Sequence, residues 1–165
     1  MSAAQFPTVT GANLLRQKIT LPGDFQGEVN VACIAFQQWH QGLVDTWVPW
    51  LRQLEDLYPD FRFYELPVIY RMNILAQTFI NEGMRAGIPN PKTREKTITL
   101  YTDKEVFRRA LDLPNEETIW LVLVDRKGDV HFRLDGAFSN EKGEALKQAV
   151  ESFFNQPQLA GEEIG

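Results

Sequence analysis

The segment EVNVACIAF (residues 28–36) runs apolar almost without a break. A strand with one solvated face alternates apolar and polar side chains, whereas an unbroken run marks a strand covered on both faces. Strands of that kind sit where parallel neighbours are joined by crossover helices. The segment therefore predicts the centre of an α/β sheet with helices on both sides.

The flanking patterns fit that centre. RQKITLP (residues 16–22) reads as an edge strand closed by its proline. Over residues 41–58, at about 100° per residue, Leu43, Val44, Trp47, Val48, Trp50, Leu51, Leu54, Leu57 and Tyr58 gather on one half of a helical wheel. Asp45, Thr46, Arg52, Gln53 and Asp56 gather on the other half, and only Glu55 interrupts the apolar arc. FRFYEL (61–66) alternates as a strand ahead of Pro67. Residues 70–86 predict a second helix with Met72, Leu75, Ala76, Phe79, Ile80 and Met84 at helical spacing, stopped by Gly87 and Pro89. GIPNPKTREK is polar and reads as a loop.

TITLY (97–101) predicts a strand, and TDKE (102–105) matches a capping box opening a short helix with Val106, Phe107 and Ala110 inward. TIWLVLVD (118–125) and DVHFRL (129–134) read as a hairpin about RKG. A last helix over 140–154 places Leu146, Ala149, Val150, Phe153 and Phe154 inward. The expected division is an extension over 1–15, one domain over 16–154 and a flexible tail over 155–165. A chain of 165 residues is long enough for a single core.

In this order the elements resemble the thioredoxin-like superfamily, in its peroxiredoxin and thiol-disulfide-reductase branch. ITLPGDFQGEVNVACIAF is similar to that group's opening segment, and LVLVDRKGDVHFRLDG to its closing hairpin. The resemblance implies a central mixed β-sheet flanked by helices on both sides. It also locates an active-site corner. The superfamily carries a phenylalanine, four residues, C-x-x-C, four residues and a proline. Counted from Phe36, its cysteine positions fall on Gln41 and Val44, and its proline on Pro49. The superfamily's cis-proline position falls near Ile119, and no proline occurs from Asn115 to Gln156.

Thiol–disulfide exchange and peroxide reduction both need a reactive thiolate. Gln and Val supply none, and the single cysteine, Cys33, lies mid-strand and reads as a small buried hydrophobe. No catalytic residue, cofactor or metal is therefore expected. The two histidines lie far apart, and no Gly-rich phosphate loop or nucleophile elbow is present. A net charge of −5 argues against nucleic acid as a partner. No apolar run approaches the ~20 residues of a membrane span. One cysteine and the absence of a signal-like start lead to an expectation of a cytoplasmic protein.

What remains is binding. The corner offers Trp39, His40, Gln41, Val44 and Ile119, with His40 beside a helix N-terminus as a group that binds or titrates. A second candidate is a basic docking patch of Arg85, Lys92, Arg94, Lys96, Lys104, Arg108 and Arg109, against three acidic residues in the same stretch. It points to an acidic protein partner. Trp39 and Trp50 are the aromatics expected at the surface. TIWLVLVDRKGDVHFRLDGAFSNEKGEAL is also similar to a late segment of the ATP synthase assembly factor ten family, which implies a chaperone-like assembly role. The alternative is a pocket for a small anion or a thiol such as glutathione, held by His40, Gln41 and backbone N–H groups.

Overall fold

The computed structural model describes residues 4–69, 82–84, 86 and 91–155. In chain order its elements are β1 (Val9–Asn13), β2 (Lys18–Leu21), β3 (Val29–Ala35), a 3₁₀ turn (Gln38–His40), α1 (Gln41–Leu57), β4 (Phe61–Ile69) and α2 (Pro91–Lys96). They continue with β5 (Ile98–Tyr101), α3 (Lys104–Ala110), β6 (Trp120–Asp125), β7 (Val130–Asp135) and α4 (Asn140–Asn155).

Among the described residues the strands form one mixed sheet in the order β2-β1-β5-β4-β3-β6-β7. The pairs β3/β4 and β4/β5 are parallel and the rest antiparallel. Every residue of β3 is buried. The period of two sends Val29, Val31, Cys33 and Ala35 to one core and Ala32 and Ile34 to the other. That division is the cause of the unbroken apolar run. Asn30, its one polar member, is buried and satisfied locally: it accepts from Gly27 N at 2.8 Å and donates to the Gly27 carbonyl at 3.0 Å.

The first core lies under α1 and α4, which contribute Val44, Trp47, Leu51, Leu54, Leu146 and Val150. The second lies on the opposite face, where Phe107 of α3 meets Phe6, which meets Phe25, which in turn meets Tyr64. The expected hairpin is present between β6 and β7. β2 is the sheet edge that its proline predicted.

Several elements depart from the sequence expectations, each for a local reason. Val9–Asn13, inside the stretch expected to be an extension, is a strand between β2 and β5. Its VTGAN sequence hides the alternation because Gly11 must be bare there: a Cβ would stand 2.2 Å from the Thr99 carbonyl oxygen. β4 runs through Pro67 to Ile69, since Pro67 pairs with the last residue of β3 just before the strand takes β5 as neighbour. PKTREK, within the expected loop, is helical; Pro91 opens it where a missing N–H costs nothing.

Asp103, rather than Thr102, caps α3, its carboxylate accepting from the N–H groups of Glu105 and Val106. Leu57 and Val106, expected inward, are 58% and 65% exposed. A wheel records the direction of a side chain, not whether anything lies opposite. The helix expected over 70–86 falls outside the described residues apart from 82–84 and 86, which are helical. The expected tail beyond Asn155 also lies outside them.

Candidate functional site

The corner begins where β3 ends. The chain turns through Gln37 into the 3₁₀ turn, and His40 folds back beneath it. The Phe36 and Gln37 N–H groups donate to His40 Nδ1 at 3.0 and 3.2 Å. Lys104 Nζ donates to the Phe36 carbonyl at 2.6 Å. An Nδ1 that accepts leaves the ring proton on Nε2, which is buried without a hydrogen-bond partner. Burial holds the His40 pKa below its ordinary value; the Glu117 backbone opposes this and Lys104 adds to it. His40, expected to bind or titrate, is instead a neutral plug with no exposed surface. Its ring caps the backbone of the turn three and four residues before it, in a capping box with His40 in place of the usual Glu or Gln.

Trp39 stands out from the same turn, 63% exposed, with its ring edge-on to His40 at 4.5 Å. Trp50, expected beside it at the surface, is half-buried and donates from Nε1 to the Gly143 carbonyl. Gln37 and Trp39 form one side of a cleft of about 520 Å³, with Arg108, Pro114, Asn115, Glu116 and Glu117 completing it.

Gln41 opens α1 and is exposed, while Val44, one turn on, is buried. Val44, Ile119 and Cys33 belong to one hydrophobic cluster, so the positions of the second cysteine and of the proline are closed into the core. Cys33 has no exposed surface. Burial pushes its thiol well above the usual range, Glu65 adds to this and Lys96 opposes it. A protonated, enclosed thiol is not a nucleophile.

Sequence patterning missed Glu65. It is 6% exposed, paired across the sheet with Cys33, and it shares a face of β4 with Phe61 and Phe63. A carboxylate on an apolar parity was the available signal. Gln41 Nε2 donates to Glu65 Oε1 at 3.0 Å and to Asp45 Oδ1 at 2.9 Å, so the exposed residue at the thiol position is tethered to a buried acid.

Burial raises the Glu65 pKa above its ordinary value; the Gln41 bond, Arg52 and Lys96 oppose this, and Asp45 reinforces it. A carboxyl whose folded pKa is raised favours folding most at low pH, and that contribution is lost as pH rises through the folded pKa. Glu65→Gln is therefore expected to raise the melting temperature relative to the parent more at pH 8 than at pH 4. An equal difference at both pH values would show that Glu65 is not held as a buried acid.

Among the described residues, the basic side chains are engaged separately. Lys96 pairs with Glu55 and lies over the Phe63 ring, beside a separate cavity of about 490 Å³ lined by Asn13, Tyr64 and Glu95. Arg108 donates to the Leu113 carbonyl at 2.9 Å and stands 3.7 Å from Glu116. Arg109 pairs with Glu105 at 2.7 Å. Arg85 and the side chains of Lys92 and Arg94 lie outside the described residues. Among the described residues no group of three His, Cys, Asp or Glu side chains forms a metal site, and no helix is long and apolar enough to cross a membrane.

The chain has a thioredoxin-like fold, shared with solved structures that match nearly its whole length. A thiol:disulfide interchange protein from Bacteroides sp. is similar at 18% identity, with a TM-score of 0.60 over 96% of this chain and 93% of that one. The thioredoxin domain of a thiol-disulfide oxidoreductase from Bacteroides vulgatus is similar at 17% identity, with a TM-score of 0.55 over 94% and 99%. BsSco, a member of the Sco family of cytochrome c oxidase assembly proteins, is similar at 16% identity, with a TM-score of 0.61 over 91% and 93%. No protein-family model and no curated protein matches the chain. Within this fold it is a single-cysteine form, with Gln41 and Val44 where a C-x-x-C pair is expected.

Proposed function

We propose that this protein is a redox-inactive thioredoxin-fold binding module that holds a protein partner at the corner beside Trp39, in an assembly or chaperone-like role. One observation carries the proposal: the corner keeps an exposed tryptophan over an open cleft while its cysteine positions hold an amide and a buried valine. The fold is kept, and the corner carries no thiol for exchanging electrons. The resemblance of residues 118–146 to assembly factor ten, and the assembly family named for BsSco, support the assembly role by analogy. A reducing compartment such as the cytoplasm is the setting proposed for Cys33. The small-anion alternative loses its main group, because His40 is buried and already accepts two backbone N–H bonds.

The test is isolation of the protein from its own cells, with Trp39→Asp as the matched control. Trp39 is exposed, so the change leaves the fold standing. A defined partner retained by the parent and lost from Trp39→Asp is expected, with contact to position 39 verified by site-directed photocrosslinking. Equal retention by both proteins, or turnover of peroxide by the parent, would overturn the reading.

A further inference from the structure

We infer that the cleft beside Trp39 takes a cationic side chain of the partner, arginine or lysine, stacked on the Trp39 indole with the Glu117 carboxylate as its counter-ion. This rests on the corner being a binding site and names the partner chemistry that site selects. It reverses the acidic partner expected from the local excess of basic residues.

The cations around the cleft are already committed. Arg108 donates from Nη1 to the Leu113 carbonyl and stands 3.7 Å from Glu116, and its Nε is buried without a hydrogen-bond partner, closed off from the cleft. Arg109 is paired with Glu105, and Lys104 is bound to the Phe36 carbonyl. Glu117, by contrast, is exposed and lines the cleft, and its carboxylate has no partner among the described residues. Among the residues that line the cleft, Arg108 and Glu116 offset each other, which leaves Glu117 as the remaining charged group.

The other free group is the indole of Trp39, the most exposed of the four tryptophans. A tryptophan face is the best of the aromatic surfaces for a cation, and a guanidinium stacks on it with its donors still free for a carboxylate. Pro114 provides a further apolar wall. At about 520 Å³ the cleft has room for one long side chain and its flanking backbone. The chain's net charge of −5 draws cations and repels anions at long range.

The test uses the full chain and three capped, fluorescently labelled peptides of alternating glycine with arginine, with glutamate or with glutamine, followed by anisotropy. The arginine peptide is expected to bind, more weakly as salt rises, and the glutamate peptide not to bind. Glu117→Lys and Trp39→Ala are each expected to weaken the arginine peptide roughly tenfold. Binding of the glutamate or glutamine peptide as tightly as the arginine one would overturn the inference while leaving the corner as a binding site. So would unchanged affinity in Glu117→Lys. If no peptide binds but the native partner still depends on Trp39, the cationic assignment fails alone. If the partner ignores Trp39 as well, both readings fail.

Discussion

The double variant Gln41→Cys, Val44→Cys is expected to show thiol–disulfide exchange, and the parent none. Both positions lie on one turn of α1, three residues apart, which in helical geometry sets their Cα atoms about 5 Å apart. That is inside the range a disulfide spans. The two sites also differ in the way the chemistry needs. Gln41 is exposed at the N-terminus of α1, where the helix dipole favours a thiolate. Val44 is buried, so a thiol there resolves a mixed disulfide without reacting first.

Insulin reduction in the presence of dithiothreitol should therefore be blank for the parent and measurable for the double variant. The rate should rise at least about tenfold over the uncatalysed reaction. Thiol titration after oxidation should find only Cys33 free. Gln41→Cys alone should label rapidly with a maleimide, and Val44→Cys alone slowly. Failure of the double variant to close a disulfide would mean that this corner lacks the geometry of the fold's redox site. The redox-inactive reading would then need a cause other than missing sulfur.

Trp47→Ala should cause the largest loss of stability of any single change considered. Trp47 is fully buried in the core beneath α1. Its Nε1 donates to the Gly136 carbonyl at 2.9 Å, and its ring meets Phe138 edge-on at 5.2 Å. One side chain thus ties the helix that carries Gln41 and Val44 to the turn that leads from β7 into α4. Removing it opens a large cavity and strands a carbonyl, at a cost of about 3–5 kcal/mol. For a chain of this size the melting temperature should fall by roughly 10 °C or more. Trp47→Phe keeps most of the volume and loses the hydrogen bond, so it should cost about 1–2 kcal/mol. A Trp47→Ala loss no larger than that of Trp47→Phe, by denaturant melts, would show that the ring is not the anchor described here.

Much of the fold is readable in the sequence. The two-sided burial of β3, the apolar face of α1, the β6/β7 hairpin and α4 are all local periodicities, and periodicity is written residue by residue. β1 and α2 were missed because their patterns are short and masked. Gly11 interrupts the alternation where β5 approaches, and two prolines surround the start of α2. The limits of α1 were legible, but Leu57 at its end was not, since nothing local says where a neighbouring surface stops.

The missing chemistry was legible for the same reason. Once the thioredoxin-like resemblance sets the register, residue identity at Gln41 and Val44 and the mid-strand place of Cys33 are enough to expect no reactive thiolate at the corner. Binding chemistry was not. Whether His40 is a ligand or a plug depends on which side chain fills the space under the turn. Whether the basic residues make a patch depends on which groups reach them, and for Lys96 and Lys104 these come from far along the chain, Glu55 and the Phe36 carbonyl. Arg109, by contrast, is answered by Glu105 one turn back on its own helix. Charge and reactivity at a site are sums over neighbours in space, and the chain lists neighbours only in order.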